Sequence, residues 1–228
     1  EKEKEQLIID ESDKSGGVLI KGRNKDHAVE CGIVIAQEAS IALTIEDLNI
    51  EAGEALVYNR TSDDNKWEYN LFLHGANKLT STSEPGINLN EAYINFRGSG
   101  SLTVTGGDGA AGIQAADLSI YENAFVVAIG GKGATSGISG SLYLNSGLLI
   151  QGSEDQFGIK QTSSELVGNN FTLGGDAEIP AWATVTIAAD QTFTIENGKT
   201  LTNSGTLTNE GSLTNSGTLT NKGFIYNK

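Results

Sequence analysis

Trp67, Tyr69 and His74 fall within eight residues of one another in a 228-residue chain that has only two Trp and two His. A flat ring takes the CH face of a sugar, and its polar edge supplies a hydrogen bond. The spacing therefore predicts a glycan contact at Trp67, Tyr69 and His74. The same rings could equally cover the edge of a folded layer, as could Trp182, which follows Pro180 two residues on. Just upstream, Asp63, Asp64 and Asn65 put three oxygen ligands into one loop, a candidate calcium site. Asp and Asn are also ordinary loop formers. No other cofactor is expected.

Acid–base chemistry has fewer footholds. Glycoside hydrolysis needs two carboxylates roughly 5 to 10 Å apart across a cleft. Glu154, Asp155 and Lys160 lie close together in the chain, but isolated acids are usually solvated. Arg23, Arg60 and Arg97 are the only arginines. No catalytic residue is assigned. The Gly-rich segments GGDGAAGI (106–113) and GGKGATSGI (130–138) lack the GxxxxGK[ST] spacing of a phosphate loop, and neither opens a helical pattern. The single cysteine, Cys31, excludes an intrachain disulfide and reads as a small buried residue. The net charge of −14 disfavours nucleic acid and anionic membrane, which bind basic patches. No segment approaches the ~20 apolar residues of a membrane-spanning helix.

The elements that would position these residues are written most plainly at the C-terminal end. From Leu201 the chain reads LTNSGT, LTNEGS, LTNSGT, LTNKGF, so that Leu201, Leu207, Leu213, Leu219 and Ile225 recur every six residues. Six is even, so in extended chain all five point the same way. Asn and Gly supply the bends between units. A unit this short cannot bury its apolar residue alone and must stack on copies of itself. The adjacent row Asn203, Asn209, Asn215, Asn221 is expected to stack amide on amide. The Thr202–Thr208–Thr214–Thr220 row offers ordered water a surface, but it is short.

A longer period covers the middle of the chain. Short apolar strands begin near Leu79, Leu102, Val126, Leu148 and Phe171, at spacings of 22 to 24 residues. Gly-Ile pairs stand between them at Gly86-Ile87, Gly112-Ile113, Gly137-Ile138 and Gly158-Ile159, and Gly32-Ile33 is an earlier one. Each coil reads strand, Gly-rich corner, Gly-Ile strand, short corner, strand. The spacing predicts an all-β chain folded as a right-handed single-stranded parallel β-helix with coils of about 23 residues. Leu79, Leu102, Val126 and Leu148 should share one column, about nine coils should stack in all, and at least two of Gly112, Gly137 and Gly158 should sit where a side chain does not fit. Residues 1–15 form a charged leader or N-terminal cap, and 16–228 one β-helix domain. Within it, 16–76 are decorated coils, 77–175 regular Gly-Ile coils, and 176–228 LTN-type coils. Phe224 and Tyr226 are expected to mark the end of the stack, with at least one ring folded over the core opening. The chain is expected to be a monomer or a weak end-to-end dimer.

From about residue 16 the chain resembles repetitive surface proteins of gut bacteria, on the segments IALTIEDLNI (41–50), LFLHGANKLTS (71–81), GSLTVTGGDGAAGI (100–113) and TLTNSGTLTNEGSLTN (200–215). The resemblance implies a β-helix that is exported or anchored at the cell surface, adhesin-like or carbohydrate-binding, with glycans or surface molecules as partners. An export signal would have been removed from a chain that contains no Met. The expected function is a non-enzymatic surface module or spacer. The alternative is a polysaccharide lyase or glycoside hydrolase on the same scaffold. A cleft gathering two or more carboxylates with a Lys, Arg or His would favour the alternative.

Overall fold

The computed structural model describes residues 6–9, 17–23, 26–36, 42–58, 68–89, 92–144, 148–153, 170–173, 176–179, 181, 184–187 and 189–228. Among these residues the chain is all β, and no helix is long and apolar enough to cross a membrane. It is a β-solenoid in which strand pairs with strand in parallel, one coil above the last.

The body makes about six turns. The first holds β1 (Gln6–Ile9) and β2 (Val18–Lys21), with Val29 bridging to Ile50 in the coil above. The second holds β3 (Gly32–Ile35), β4 (Ala42–Glu46) and β5 (Asn49–Ala52). The third holds β6 (Leu56–Tyr58), β7 (Glu68–His74) and β8 (Ala76–Ser81), and the fourth β9 (Ile87–Asn88), β10 (Tyr93–Gly98) and β11 (Ser101–Thr105). The fifth is β12 (Ile113–Ile120) and β13 (Phe125–Gly130), and the sixth β14 (Ile138–Leu144) and β15 (Leu148–Ser153). Three faces result. The first stacks β1, β3, β6, β9 and the start of β12; the second stacks β2, β4, β7, β10 and the end of β12; the third stacks β5, β8, β11, β13 and β15. β12 turns the edge between the first two faces in a single strand, and its register with β14 slips between Gln114 and Asp117 where it does so.

Alternation decides what points inward. On the first face the column Ile33, Leu56, Ile87, Ile113, Ile138 is in register and buried. On the second the column is Leu43, Leu71, Phe96, Ile120, and on the third Ile50, Leu79, Val104, Ala128. The expected Leu79–Leu102–Val126–Leu148 column is corrected in register, though not in principle. Leu79 stacks on Val104, two residues along the same face, and Leu102 stacks between Asn77 and Val126. Leu148 lies opposite Phe125, so Leu149 is the register partner of Val126. Coil length varies around 25 residues. It is 25 from Ala76 to Ser101 and 31 from Leu56 to Ile87, where residues 59–67 are inserted. The Gly-Ile pairs hold the first face in step. Ile87 N–H donates to Gly112 O at 2.9 Å and Ile113 N–H to Gly137 O at 3.0 Å. A Cβ on Gly112 would lie 2.8 Å from both the N and the O of Ile129, closer than carbon tolerates. Gly158 lies outside the described residues.

The tail forms three more coils with its own sheets: β16 (Asn170–Leu173), β17 (Ala177–Ile179) and β18 (Thr184–Ile187); β19 (Thr192–Ile195), β20 (Thr200–Asn203) and β21 (Thr206–Asn209); β22 (Ser212–Asn215), β23 (Thr218–Asn221) and β24 (Phe224–Asn227). Three six-residue units close one coil, so Leu201 stacks on Leu219 and Leu207 on Ile225, 18 residues apart. Among the described residues the tail sheets pair with no body strand. Instead the outward residues of β13 meet the tail: Phe125 and Val127 share one buried cluster with Leu173, Ile179, Val185 and Leu201. Ser101 Oγ also donates to the carbonyl of Asp176. The tail therefore rests against the third face of the body.

Among the described residues neither aromatic ring covers the last coil, which corrects the expectation of an aromatic cap. Phe224 and Tyr226 continue the outward Thr206 and Thr208 columns, because only Ile225 between them continues the inward Leu207 column. Their rings stack on each other with centroids 6.4 Å apart on the outer surface, 65% and 54% exposed. Ile225, at the core position, is 40% exposed.

Candidate functional site

The residues singled out around position 70 separate by parity. β7 reads EYNLFLH, and its buried positions are Tyr69, Leu71 and Leu73. Tyr69 is 3% exposed, in column with Ile94 and Leu118, and its ring centroid lies 4.8 Å from that of Tyr58. It is a core residue that offers no ring to solvent. His74 ends the strand exposed, in register with Glu46. Trp67 lies outside the described residues, as do Asp63, Asp64, Asn65, Glu154, Asp155, Lys160 and Trp182. Among the described residues no three His, Cys, Asp or Glu side chains are grouped to hold a metal ion.

The outward positions of the same strands build a surface that the sequence reading did not find. β10 reads YINFRG, with Ile94 and Phe96 inside and Tyr93, Asn95 and Arg97 outside. Parallel stacking sets Asn70 beside Asn95 and Phe72 beside Arg97. Asn70 Oδ1 accepts from Arg97 Nε at 2.9 Å and from Asn95 Nδ2 at 3.3 Å. Asn95 Nδ2 also donates to Glu68 Oε1. Asn95 is only 5% exposed although it points outward, whereas Asn70 and Arg97 are half-buried and Glu68 is exposed, so the network runs from a desolvated centre to a solvated edge. The Arg97 guanidinium carbon lies 4.2 Å from the centre of the Tyr121 ring, a cation–π contact worth about 0.5 to 2 kcal/mol depending on desolvation.

The turn that carries Tyr121 is itself braced. Tyr121 N–H donates to Phe96 O at 2.9 Å. Glu122 takes a left-handed conformation, φ +60°, and its Oε2 accepts the Gly98 N–H at 2.6 Å. The second face thus presents a strip in which Phe72, Arg97 and Tyr121 follow one another from coil to coil. Asn70 and Asn95 form the adjoining outward column, and Glu68 and Asp117 flank Tyr93 in the one beyond. At the near edge Lys21 bonds Glu46, whose carboxylate raises the lysine above its ordinary pKa. Rings, a held guanidinium and amide groups on a flat sheet are the groups that stack on and hydrogen-bond a sugar. The signal in the sequence was alternation: once Ile94 and Phe96 are core, Tyr93, Asn95 and Arg97 must be surface.

A second feature lies where the tail meets the third face. Asp26, Lys78, Asp176 and Glu178 line a cleft of about 460 Å³ together with Thr103 and Thr202. Two of the acids are tied into the tail: Asp176 Oδ1 accepts the Thr200 N–H at 2.8 Å, and Glu178 Oε1 accepts from Ser204 Oγ at 2.6 Å. Among the described residues this is an open polar cleft with a lysine and three carboxylates and no aromatic side chain. No protein-family model, curated protein or solved structure matches this chain.

Proposed function

We propose that this chain is a non-enzymatic, adhesin-like surface module displayed outside the cell, which binds glycan on the second face of its solenoid. The observation that carries the reading is the Phe72–Arg97–Tyr121 strip on a stack of parallel strands, in which Asn70 holds Arg97 and Asn95 in turn bonds Asn70. A glycan-array screen of the folded chain, with and without calcium to include the Asp63–Asn65 loop, tests it. Phe72→Ala and Tyr121→Ala should each abolish the array signal while the circular dichroism spectrum stays that of the parent. Signals that survive both substitutions would remove the strip from the reading.

The enzymatic alternative has one observation in its favour, the cleft that brings Asp26, Asp176 and Glu178 to Lys78. Asp176 and Glu178 are bonded to Thr200 and Ser204 in the next coil of the tail, an arrangement suited to joining tail coils rather than to moving protons. Release of reducing ends or of unsaturated products from acidic and neutral polysaccharides, lost in Lys78→Ala, would establish the enzyme.

A further inference from the structure

We infer that the strip selects an anionic glycan, with Arg97 as the residue that reads its carboxylate or sulfate. The inference rests on the glycan reading above and names the ligand class for that site. Arg97 is gripped on two sides. Its Nε donates to Asn70 Oδ1, and its guanidinium carbon lies over the Tyr121 ring. Both contacts leave the Nη1 and Nη2 edge uncommitted, and among the described residues no carboxylate forms an ion pair with it. A partly exposed guanidinium held at its Nε and over an aromatic ring, with no carboxylate partner among the described residues, is prepared for a planar two-oxygen group. Ordering it costs the ligand little, because Asn70 and Tyr121 have already restricted the side chain.

The charges around it fit the same reading. The carboxylates that could compete for Arg97 are engaged elsewhere: Glu68 with Asn95, Glu122 with the Gly98 N–H, and Glu46 with Lys21. Asp117 stands in register with Tyr93, two columns from Arg97, where it can accept sugar hydroxyls. The chain carries a net charge of −14, so a general attraction for anions is absent. Selection of an acidic sugar must come from one positioned cation, and that makes it separable by a single substitution. Phe72, beside Arg97 in the next coil, supplies the apolar surface for the sugar ring.

The test is calorimetric titration of the full chain with three probes: oligogalacturonate, a sulfated dextran oligomer, and a neutral dextran oligomer of similar length. At least one anionic probe should bind about tenfold or more tighter than the neutral one, the scale of one charge-assisted hydrogen bond. Added salt should narrow the gap, since surface ion pairs are screened. Arg97→Lys keeps the charge and loses the fork, and Arg97→Gln loses both. Each should bring anionic affinity close to neutral affinity, with Gln falling further. Preference for oligogalacturonate assigns a carboxylate, and preference for the sulfated probe assigns a sulfate. Equal affinity for charged and neutral probes, or anionic binding unchanged in both variants, overturns the inference while Phe72-dependent sugar binding would keep the glycan reading. Absence of binding to every probe in the parent chain overturns both.

Discussion

Tyr69 and Asn70 are neighbours in the chain and lie on opposite sides of a sheet. A one-residue step along a strand exchanges core for surface, so choosing the aromatic at 69 for its chemistry chose the wrong side of that step, and the strip begins instead at Asn70 and Phe72. Tyr69→Ala should behave as a core truncation. It removes a ring packed on Tyr58, and the expected cost is about 3 to 5 kcal/mol of stability, as for other buried aromatics. Chemical denaturation measures this, and a loss below about 1 kcal/mol would contradict the core assignment. Gly112 gives a second prediction at this scale. A Cβ there meets the backbone of Ile129 and Val104, which cannot swing aside as a side chain end can. Gly112→Val should lower stability by at least ~1 to 3 kcal/mol through overpacking, and an unchanged thermal midpoint would mean the corner relaxes freely. The Gly-Ile signal was legible in the sequence because the glycine is required by close backbone approach and the isoleucine by the core. Nothing comparable marked Arg97, whose role depends on Asn70 in the coil below and Tyr121 in the coil above.

At the scale of elements, the tail was the most legible part of the chain and the way it packs the least. Its six-residue unit encodes strand, bend and inward residue together, so three units close a coil with no ambiguity of register. The expected Asn row is divided among the three faces, so residues 18 apart stack rather than residues six apart: Asn203 Nδ2 donates to Asn221 Oδ1, and Asn209 Nδ2 to Asn227 Oδ1, each at 2.8 Å, while Asn215 lies opposite Ile195. The ladder starts abruptly, because the register partners on the other side are Ile179 and Ile187, and the buried Oδ1 atoms of Asn203 and Asn209 have no partner. The contact of tail and body was hidden for a different reason. Phe125, Val127 and Ile129 alternate with Val126 and Ala128, so β13 is apolar on both sides, and a continuous apolar run cannot say what covers its outer side. Val127 is 1% exposed, so Val127→Asp would bury an unpaired carboxylate in that contact. The variant should release the tail, seen as faster proteolysis and amide exchange within 200–228, while exchange in the body columns Leu71–Phe96–Ile120 stays slow. Uniform loosening of both parts would instead mean that the two fold as one cooperative unit.

For the molecule as a whole, a stack bound only by neighbour contacts should not be equally stable along its length. The tail shows the gradient directly. Leu201 and Leu207 are fully buried, Leu213 and Leu219 partly, and Ile225 is 40% exposed. All five occupy equivalent places in the repeat, so differences among them report position in the stack and little else. Truncation to Ala should cost about 2 to 5 kcal/mol at Leu207, where a cavity forms inside packed coils. At Ile225 the cost should fall to within roughly 1 kcal/mol, because half the transfer term is already missing and no closed cavity is left. Leu213 and Leu219 should lie between. The same order should appear in amide exchange, with β20 and β21 protected longest and the last coil, whose strands β22, β23 and β24 each pair with one strand among the described residues, opening first from its β24 end. Equal costs at Leu207 and Ile225 would show that the exposed end is covered in solution. Sedimentation would then decide whether a second copy covers it: a concentration-dependent dimer that Ile225→Asp dissociates would place the contact on the last coil, and a monomer at all concentrations would place the cover within the chain itself.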